Sequence, residues 1–204
     1  MNNIELVIFA NSVKHHQHCV AGKCLKTGRW IRPVSDRNGS ELAHDQAKCH
    51  NPHGAFNVKP LQKVLMNFTA HAPLAHQPEN YVIDGSIWRQ NYTINDEDLN
   101  NYLDHPTDIW GVSDRIPYAS ILAGGINITQ SLYLVSVQNL NLYKNQYEKR
   151  RASFSYGGLV YDLAVTDPNF DRIITKNTDA KGILCISLGE EYEGNCYKLI
   201  ATIF

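Results

Sequence analysis

The sequence lacks an excess of charge of either sign. Lysine and arginine together number 19 and aspartate and glutamate 20, so the formal net charge of the 204 residues is −1. No overall positive field would draw such a chain onto nucleic acid or an anionic membrane, and any binding of that kind has to come from a local patch. Hydrophobic residues make up 43% of the sequence, and no tract has low complexity, so the chain can bury a core.

Long hydrophobic runs are also missing. The apolar run at residues 4–10 is too short for a signal peptide or a membrane-spanning helix, and no basic segment precedes it. The cysteines are few and odd in number, which is not typical of a disulfide framework. We therefore expect a cytoplasmic protein with reduced thiols and no membrane partner.

Recognised catalytic motifs are absent as well, because the sequence contains no Gly-rich phosphate loop, no nucleophile elbow and no HExxH pair. The residue types still allow a thiol nucleophile at Cys19, with a histidine as its base and Glu79 or Asp114 to orient the imidazole. The candidate bases are His15, His16 and His76. Because nothing in the sequence sets the distances among these groups, we leave enzymatic activity open without favouring it, and we expect no cofactor.

Histidine is concentrated in the first half of the chain, where several histidines stand near cysteines. A tetrahedral zinc site could in principle take its ligands from His16, His18, Cys19, Cys24, Cys49, His50 and His53. The spacing between Cys19 and Cys24 is wider than the C-x2-C pairing of structural zinc sites, and a strand cysteine often acts as a small buried hydrophobe. We predict no metal and keep a zinc-containing enzyme that uses Cys19 and nearby histidines as an alternative.

Two parts of the sequence have the pattern of β-strands. Short apolar, β-branched runs at residues 4–10, 19–21, 30–34 and 64–68 predict strands in the first part. In the second part, alternation on both sides of Gly157-Gly158 predicts a hairpin, because both glycines tolerate the positive φ of a type I′ turn. The predicted buried residues of this hairpin are Ala152, Phe154, Tyr156, Leu159, Tyr161, Leu163 and Val165. The segments "GILCISLGE" and "CYKLIATIF" predict two further strands.

Between these parts the pattern changes to short helices. Asn95 can cap a helix over "DEDLNNYL", and Pro117 can open a second helix that Gly124-Gly125 would end. We predict a mainly β fold of two small β-barrels joined by a short helical connector. The predicted boundaries are residues 1–92 for the first lobe, 93–128 for the connector and 129–204 for the second lobe.

Several strings of the sequence occur in the same order, nearly from end to end, in a known family. The strings are "ANSVKHHQHCVAG" with "GRWIRPVSD", "HQPEN" at residues 76–80, "SDRIP" at 113–117, "SLYLV" at 131–135, "YDLAVTDP" at 161–168, and "CISLGE" with "CYKLIA". In these strings the chain resembles the dual OB domain-containing proteins of bacteria. The resemblance implies two tandem OB-like barrels, and it implies a nucleic-acid or nucleotide binder of prokaryotic conflict or defence systems.

The stretch "SVKHHQHCVAGKCLKTGRWIRPVSD" at residues 12–36 gathers cations around one tryptophan. An OB barrel binds on one sheet face and its loops, with basic side chains on phosphates and aromatic rings on bases. On a strand over residues 30–34, Trp30 and Arg32 share a face and can act together. We predict ligand contacts from Lys14, Arg29, Trp30 and Arg32. The alternative is that Trp30 belongs to the core and the cations form a solvated rim.

The "HQPEN" string supplies donors and acceptors around Pro78, which restricts the local backbone. We predict that the ligand site includes His76, Gln77, Glu79 and Asn80, together with Arg115 from "SDRIP". The alternative is structural. In that case the amide side chains satisfy backbone groups where the first lobe closes, and Arg115 takes part in a cap, a turn or a salt bridge.

A secondary basic patch, Lys149, Arg150 and Arg151, directly precedes a predicted strand of the second lobe. It could extend a track for phosphates, with Tyr147 and Tyr156 stacking on bases. A charged, solvated hairpin end is the alternative.

These residues and the resemblance together predict a module that binds single-stranded nucleic acid or a nucleotide. Binding would combine phosphate neutralisation with aromatic stacking. We expect the module to work with a catalytic protein partner. Two other functions stay open, a pocket for a small molecule or modified nucleotide, and an adaptor that binds other proteins.

Overall fold

The structure, a computed structural model, describes residues 1–14, 17–176 and 182–204, and for Val13, Lys14 and Lys176 it describes the backbone alone. The described chain is mainly β-structure, which confirms the predicted fold class at this level. It divides into two compact units, Met1–Tyr102 and Leu103–Phe204. The finer division into residues 1–92, 93–128 and 129–204 stays a prediction.

The first unit contains one sheet and a short 3₁₀ helix. Its strands are β1 (Ile4–Lys14), β2 (Gln17–Cys24), β3 (Trp30–Val34), β4 (Lys48–Asn51), β5 (Gly54–Asn57), β6 (Gln62–Met66), β7 (Phe68–His71), β8 (Asn80–Ile83) and β9 (Trp88–Thr93). Their order in the sheet is β5-β4-β9-β6-β1-β2-β3-β8-β7. Strand β3 pairs in parallel with β8, and this register places Arg32 beside Asn80.

Both faces of β1 are buried in the first unit. Leu6 and Ile8 point into a core that includes Val64, Phe68 and Trp88. On the opposite face, the ring of Phe9 packs 5.3 Å from the ring of Tyr102, measured between centroids. Tyr102 ends the 3₁₀ helix Asp96–Tyr102, whose Leu99 is fully buried. The first unit is therefore built in layers, and its C-terminal helix belongs to it.

The second unit also contains one sheet, with fewer strands and with two short helices. Its strands are β10 (Arg115–Pro117), β11 (Leu132–Ser136), β12 (Gln138–Lys144), β13 (Arg150–Tyr156), β14 (Leu159–Val165), β15 (Ile183–Tyr192) and β16 (Asn195–Ile203), and its helices are α1 (Tyr118–Leu122) and α2 (Phe170–Lys176). The strand order is β11-β15-β16-β14-β13-β12, and β10 pairs with β16. Strands β14 and β16 are parallel.

The predicted hairpin is confirmed. Strands β13 and β14 pair through Tyr156 and Leu159, and Gly157 and Gly158 between them have φ angles of 57° and 78°. The alternation buries the predicted side chains in one core, namely Ala152, Phe154, Tyr161, Leu163 and Val165, with Tyr156 and Leu159 partly buried against it.

Neither sheet is a closed barrel in the described part of the chain, which corrects the prediction of two small barrels. The reason is the same in both units. One residue interrupts the strand that would close the barrel. Asn67 separates β6, which pairs with β1, from β7, which pairs with β8. Val137 likewise separates β11, which pairs with β15, from β12, which pairs with β13.

The predicted helical connector is not confirmed either. Both short helices form, but the 3₁₀ helix Asp96–Tyr102 belongs to the first unit and α1 to the second. Burial explains this outcome, since Leu99 and Ile121 each pack into their own unit instead of lying in an exposed link. No helix within residues 1–14, 17–176 and 182–204 is long and apolar enough to cross a membrane.

Candidate functional site

Trp30, the predicted stacking residue, is buried in the second layer of the first unit. Only 5% of its surface is exposed, and its ring meets the ring of Phe9 edge-on at 5.8 Å between centroids. The ammonium of Lys23 lies 5.2 Å from the same ring and donates to the carbonyl oxygen of Tyr102 at 2.6 Å. A base could therefore stack on Trp30 only if this layer opened.

Arg32 lies on the same strand face as Trp30, opposite to the core residue Ile31, as the alternation predicts. Its guanidinium is buried, and its Nε lies 3.3 Å from Oε1 of Glu79. Arg29 stands exposed at the turn between β2 and β3. The side chain of Lys14, like His15 and His16, lies outside the described residues. The stretch at residues 12–36 thus presents Arg29 at the surface and holds Arg32 inside.

The "HQPEN" string forms a buried polar turn next to Arg32. His76, Gln77, Glu79 and Asn80 are each at most 7% exposed. The turn is closed by two backbone hydrogen bonds between Leu74 and Gln77, and the Asn80 amide donates to Oε1 of Gln77 at 3.3 Å. The structure therefore brings Arg32 together with Gln77, Glu79 and Asn80, but it does so away from solvent.

A neighbouring loop lies directly over this polar turn. A Cβ built on Gly39 would come within 2.7 Å of Cδ1 of Leu74 and 2.9 Å of Nδ2 of Asn80. Only glycine allows the loop to approach so closely. In this arrangement the "HQPEN" residues lie beside the parallel pairing of β3 and β8 with this loop against them, and their contact with a ligand stays a prediction.

Arg115 belongs to the second unit and is exposed. Its Nε and one terminal nitrogen contact the two carboxylate oxygens of Asp114 at 2.8 and 3.1 Å, and its other terminal nitrogen donates to the Tyr197 hydroxyl at 3.0 Å. The guanidinium also lies 4.6 Å from the centre of the Tyr197 ring. Hydrogen bonding by Arg115 lowers the pKa of the Asp114 carboxyl, so the pair stays ionised near neutral pH.

The secondary basic patch has acidic partners. Arg150 pairs with Asp171, and Arg151 donates to Asp162 at 2.7 Å. Lys149 is exposed at the start of this hairpin. Hydrogen bonding by Lys144, followed by that from Arg150, lowers the pKa of Asp171. Carboxylates thus neutralise two of the three predicted cations, which weakens the patch as a phosphate track.

The candidate zinc ligands do not assemble among the residues that the structure describes, since no three His, Cys, Asp or Glu side chains meet there. His18 has one histidine neighbour, with Nε2 lying 3.2 Å from Nδ1 of His44. Burial, and then the nearby His44, lower the pKa of His18. Cys49 is buried while His50 on the same strand is exposed, because neighbouring strand residues point to opposite faces.

A different surface combines the exposed Arg89 and the half-buried Lys63 with an exposed aromatic ring. We call it the β4–β9–β6 face and define it by His50, Lys63, Leu65, Arg89 and Tyr92. Strand register aligns His50 with Arg89 and Arg89 with Leu65, and it sets Lys63 opposite Tyr92. Tyr92 is 72% exposed. Cross-strand partners share a sheet face, so these side chains form one continuous surface.

Sequence reasoning missed this face because a β-bulge creates it. The pairing of β6 with β9 shifts by one residue between Lys63 and Val64, so Tyr92 rather than Asn91 lies opposite Lys63. Strict alternation from the buried Trp88 would have turned Tyr92 inward. The signal available in the sequence was the string "WRQNYT", which carries a cation and an aromatic residue on one short strand.

The comparison with protein families agrees with the topology. The model of a family described as the dual OB-containing domain matches residues 4–203. No match was found among curated proteins or solved structures. Because the matched region covers nearly the whole chain, the chain belongs to the dual OB-containing domain family.

Proposed function

We propose that this chain is a binding module for single-stranded nucleic acid and that the β4–β9–β6 face is its contact surface. The observation that carries the proposal is the exposed ring of Tyr92 opposite Lys63, on a sheet face that also carries Arg89. Modules of the OB class bind single strands on a sheet face, with cations on the phosphates and aromatic rings under the bases. Family membership supports the same class of ligand.

The residues of the face make two kinds of contact, with phosphates and with bases. Arg89 and Lys63 contact phosphates, and the ring N–H of the neighbouring His50 donates a further hydrogen bond. Tyr92 stacks on a base, which is sequence-tolerant because every base has an aromatic face. Glu5 on β1 lies opposite Leu65, at the end of the face. Its carboxylate accepts a hydrogen bond from the Asn91 amide at 2.8 Å. This carboxylate limits the positive potential at that end.

The small number of cations on the face limits the expected affinity for nucleic acid and its dependence on salt. Neutralising about two phosphates of a single strand gives a slope of about −1.4 for the logarithm of the affinity against the logarithm of salt concentration. The overall charge of −1 adds no general attraction. Binding is therefore weak, and its salt dependence is shallower than that of a strongly basic protein.

The test is fluorescence anisotropy of labelled single-stranded DNA and RNA against the full chain at several salt concentrations. Arg89→Ala is expected to weaken binding and to reduce the salt slope by about 0.7, because one phosphate contact is lost. Tyr92→Ala is expected to weaken binding by roughly tenfold without changing the slope, and Tyr92→Phe is expected to keep most of the affinity, because the phenyl ring still stacks.

Two exposed residues of the second unit supply matched controls. Arg172→Ala removes an exposed arginine and Tyr147→Ala an exposed tyrosine, and both lie outside the β4–β9–β6 face. Wild-type binding by these controls, with losses in the Arg89 and Tyr92 variants, supports the proposal. Equal losses in all four variants, or none in any, would place the contact surface elsewhere.

The wider role that we propose is a cytoplasmic one, in a prokaryotic conflict or defence system, beside a partner that performs catalysis. The family resemblance supports this role, and a binding module without recognised catalytic motifs needs such a partner. Affinity capture with the tagged chain, followed by identification of the retained proteins, tests it. Recovery of no enzyme that acts on nucleic acid would contradict the role.

A further inference from the structure

The second unit contains an open cleft that none of the predicted sites includes. Its volume is about 490 Å³, and its wall includes Pro106, Asp108, Trp110, Ile126, Asn127 and Tyr133. This volume lies within the range of small-molecule sites, and a mostly apolar lining with a few polar groups is typical of them.

The segment that forms one wall is fastened to the sheet behind it. The Tyr156 hydroxyl donates to the carbonyl oxygen of Pro106 at 2.8 Å. The backbone N–H of Ile109 donates to the Tyr161 hydroxyl oxygen at 3.2 Å. Two strands of the hairpin thus hold the wall in place, and the cleft is formed before any ligand binds.

Two stacked aromatic rings form part of the lining of the cleft. The rings of Trp110 and Tyr133 lie 4.5 Å apart between centroids, at 30° to one another. The Trp110 indole N–H donates to the carbonyl oxygen of Gln130 at 3.1 Å, which fixes the ring. Trp110 has a φ of 50°, a left-handed conformation that a bulky residue adopts at a cost in free energy. The structure therefore holds an indole at the cleft in a specific, strained position.

The polar groups of the cleft select against phosphate. No lysine or arginine is among its described lining residues, and Asp108 places a carboxylate there. One oxygen of Asp108 accepts the backbone N–H of Gly111 at 2.6 Å, and within the described residues the other oxygen receives no hydrogen bond. The matching ligand is a planar ring with adjacent N–H donors, since a carboxylate can only accept.

We propose that this cleft binds the base of guanine through Trp110, Tyr133 and Asp108. The pairing edge of guanine carries a ring N–H beside an amino group, which together can donate two parallel hydrogen bonds to one carboxylate. Adenine and cytosine present a donor beside an acceptor, and uracil presents one donor between two carbonyl oxygens, so a carboxylate matches each of them less well. The ring stacks against the aromatic wall.

This inference goes beyond the proposed function, because the cleft lies in the second unit and shares no residue with the β4–β9–β6 face. The guanine can come from a free nucleoside or from an unpaired position in a strand. Both sources offer the same base, and the cleft itself supplies no cation for the phosphate of a nucleotide.

Tryptophan fluorescence of the full chain tests the proposal directly. Trp30 and Trp88 are 5% and 2% exposed, whereas Trp110 is only partly buried at the cleft, so a stacked base quenches Trp110. Guanosine is expected to bind about tenfold or more tightly than adenosine or inosine, because inosine lacks only the amino donor. Guanosine monophosphate is expected to bind no more tightly than guanosine.

Asp108→Asn tests the carboxylate with little change of shape, since its side-chain oxygen can still accept from Gly111. We expect about tenfold or more loss of guanosine affinity in this variant. Glu148→Gln removes a negative charge from an exposed site in the same unit and is expected to leave the affinity unchanged. Thermal unfolding curves of both variants show whether each one folds.

Short single-stranded oligonucleotides that contain one guanine or one adenine distinguish the two sources of the base, a free nucleoside and an unpaired position in a strand. A guanine preference lost in Asp108→Asn supports the proposal, whether it is seen with nucleosides or only within a strand. Binding of guanosine that persists in Arg89→Ala and Tyr92→Ala shows that the cleft acts independently of the β4–β9–β6 face. The proposal would be overturned if neither nucleosides nor short strands showed a guanine preference. It would also be overturned if Asp108→Asn kept full affinity for guanosine.

Discussion

Arg32 and Glu79, two of the predicted ligand contacts, form a buried ion pair within the first unit. Their side chains are 9% and 6% exposed, and the backbone N–H of Arg32 also donates to the carbonyl oxygen of Glu79 at 2.9 Å. A buried ion pair adds little stability compared with an apolar pair, but removing one partner leaves an isolated buried charge. The pair therefore links β3 to the residue directly before β8, across 47 positions of the chain.

Loss of one partner of this pair is the first prediction at the residue scale. Glu79→Ala is expected to lower the free energy of unfolding by about 3–5 kcal/mol, because the Arg32 charge stays buried without its carboxylate. The double variant Arg32→Met/Glu79→Leu is expected to be more stable than Glu79→Ala alone. Chemical denaturation measures both, with the exposed Glu148→Ala as a control that changes little. A double variant less stable than the single one would contradict this account.

Lys198 provides the second residue-scale prediction, through pH. Its ammonium donates to the carbonyl oxygen of Gly111 at 2.6 Å, and burial lowers its pKa to about 8, partly offset by Asp108 and Asp114. The unfolded chain then binds more protons than the folded chain between about pH 8 and the ordinary lysine value, so this group adds stability as pH rises through that window. Below it, the cost of the buried charge is fully present.

Denaturation at pH 7 and pH 9 measures this effect. Relative to Lys198→Met, the unfolding free energy of the wild type is expected to rise by about 1 kcal/mol between the two pH values. The comparison cancels other groups, such as Cys196, whose thiol pKa burial raises to about 11. Parallel pH profiles of the wild type and the variant would show that Lys198 does not titrate in this range.

At the scale of elements, the β13–β14 hairpin has two functions in the second unit. Its turn joins two core strands, and it also supports the wall of the cleft, since a Cβ on Gly157 would lie 2.7 Å from the carbonyl oxygen of Thr107. A Cβ on Gly158 would meet nothing within 4 Å. Both glycines have a positive φ, so the two positions differ chiefly in what lies beside them.

This difference gives a matched pair of variants. Gly158→Ala is expected to destabilise the protein by about 1 kcal/mol, the usual cost of placing alanine in a left-handed turn. Gly157→Ala is expected to cost more than that, because the methyl group also displaces Thr107. Thermal unfolding of both variants, with guanosine titration of Gly157→Ala, measures the two effects. Equal destabilisation would show that the approach to Thr107 carries no cost.

β3 in the first unit and β14 in the second, each of which pairs with a parallel strand, end in the same turn. Asp36 accepts the backbone N–H of Asn38 at 2.8 Å after β3, and Asp167 accepts that of Asn169 at 2.7 Å after β14. The sequences at these places, "VSDRN" and "VTDPN", share valine, a hydroxyl residue, aspartate and asparagine. Such an aspartate satisfies backbone donors as the chain leaves the strand. The two units thus use one local solution at corresponding positions.

At the scale of the whole molecule, the two units share one topology. In each, three antiparallel strands are followed by a later strand that pairs in parallel with the third, through β3 and β8 or through β14 and β16. The two interruptions fall on different strands, at Asn67 in the first unit and at Val137 in the second. The common plan agrees with the dual OB-containing domain family that matches residues 4–203.

The sequence by itself determined the class of fold, the hairpin at Gly157-Gly158 and the faces of its strands, because these depend on local periodicity and on the φ angles that residues tolerate. Only the tertiary structure decided which polar residues are available to a ligand. Arg32 and Glu79 are buried by strand pairing across 47 positions, and Tyr92 is exposed by a bulge. Asp108 and Tyr133 meet at a cleft through packing. Long-range burial and register shifts leave no periodic signal in a single sequence, so the candidate sites had to come from the structure.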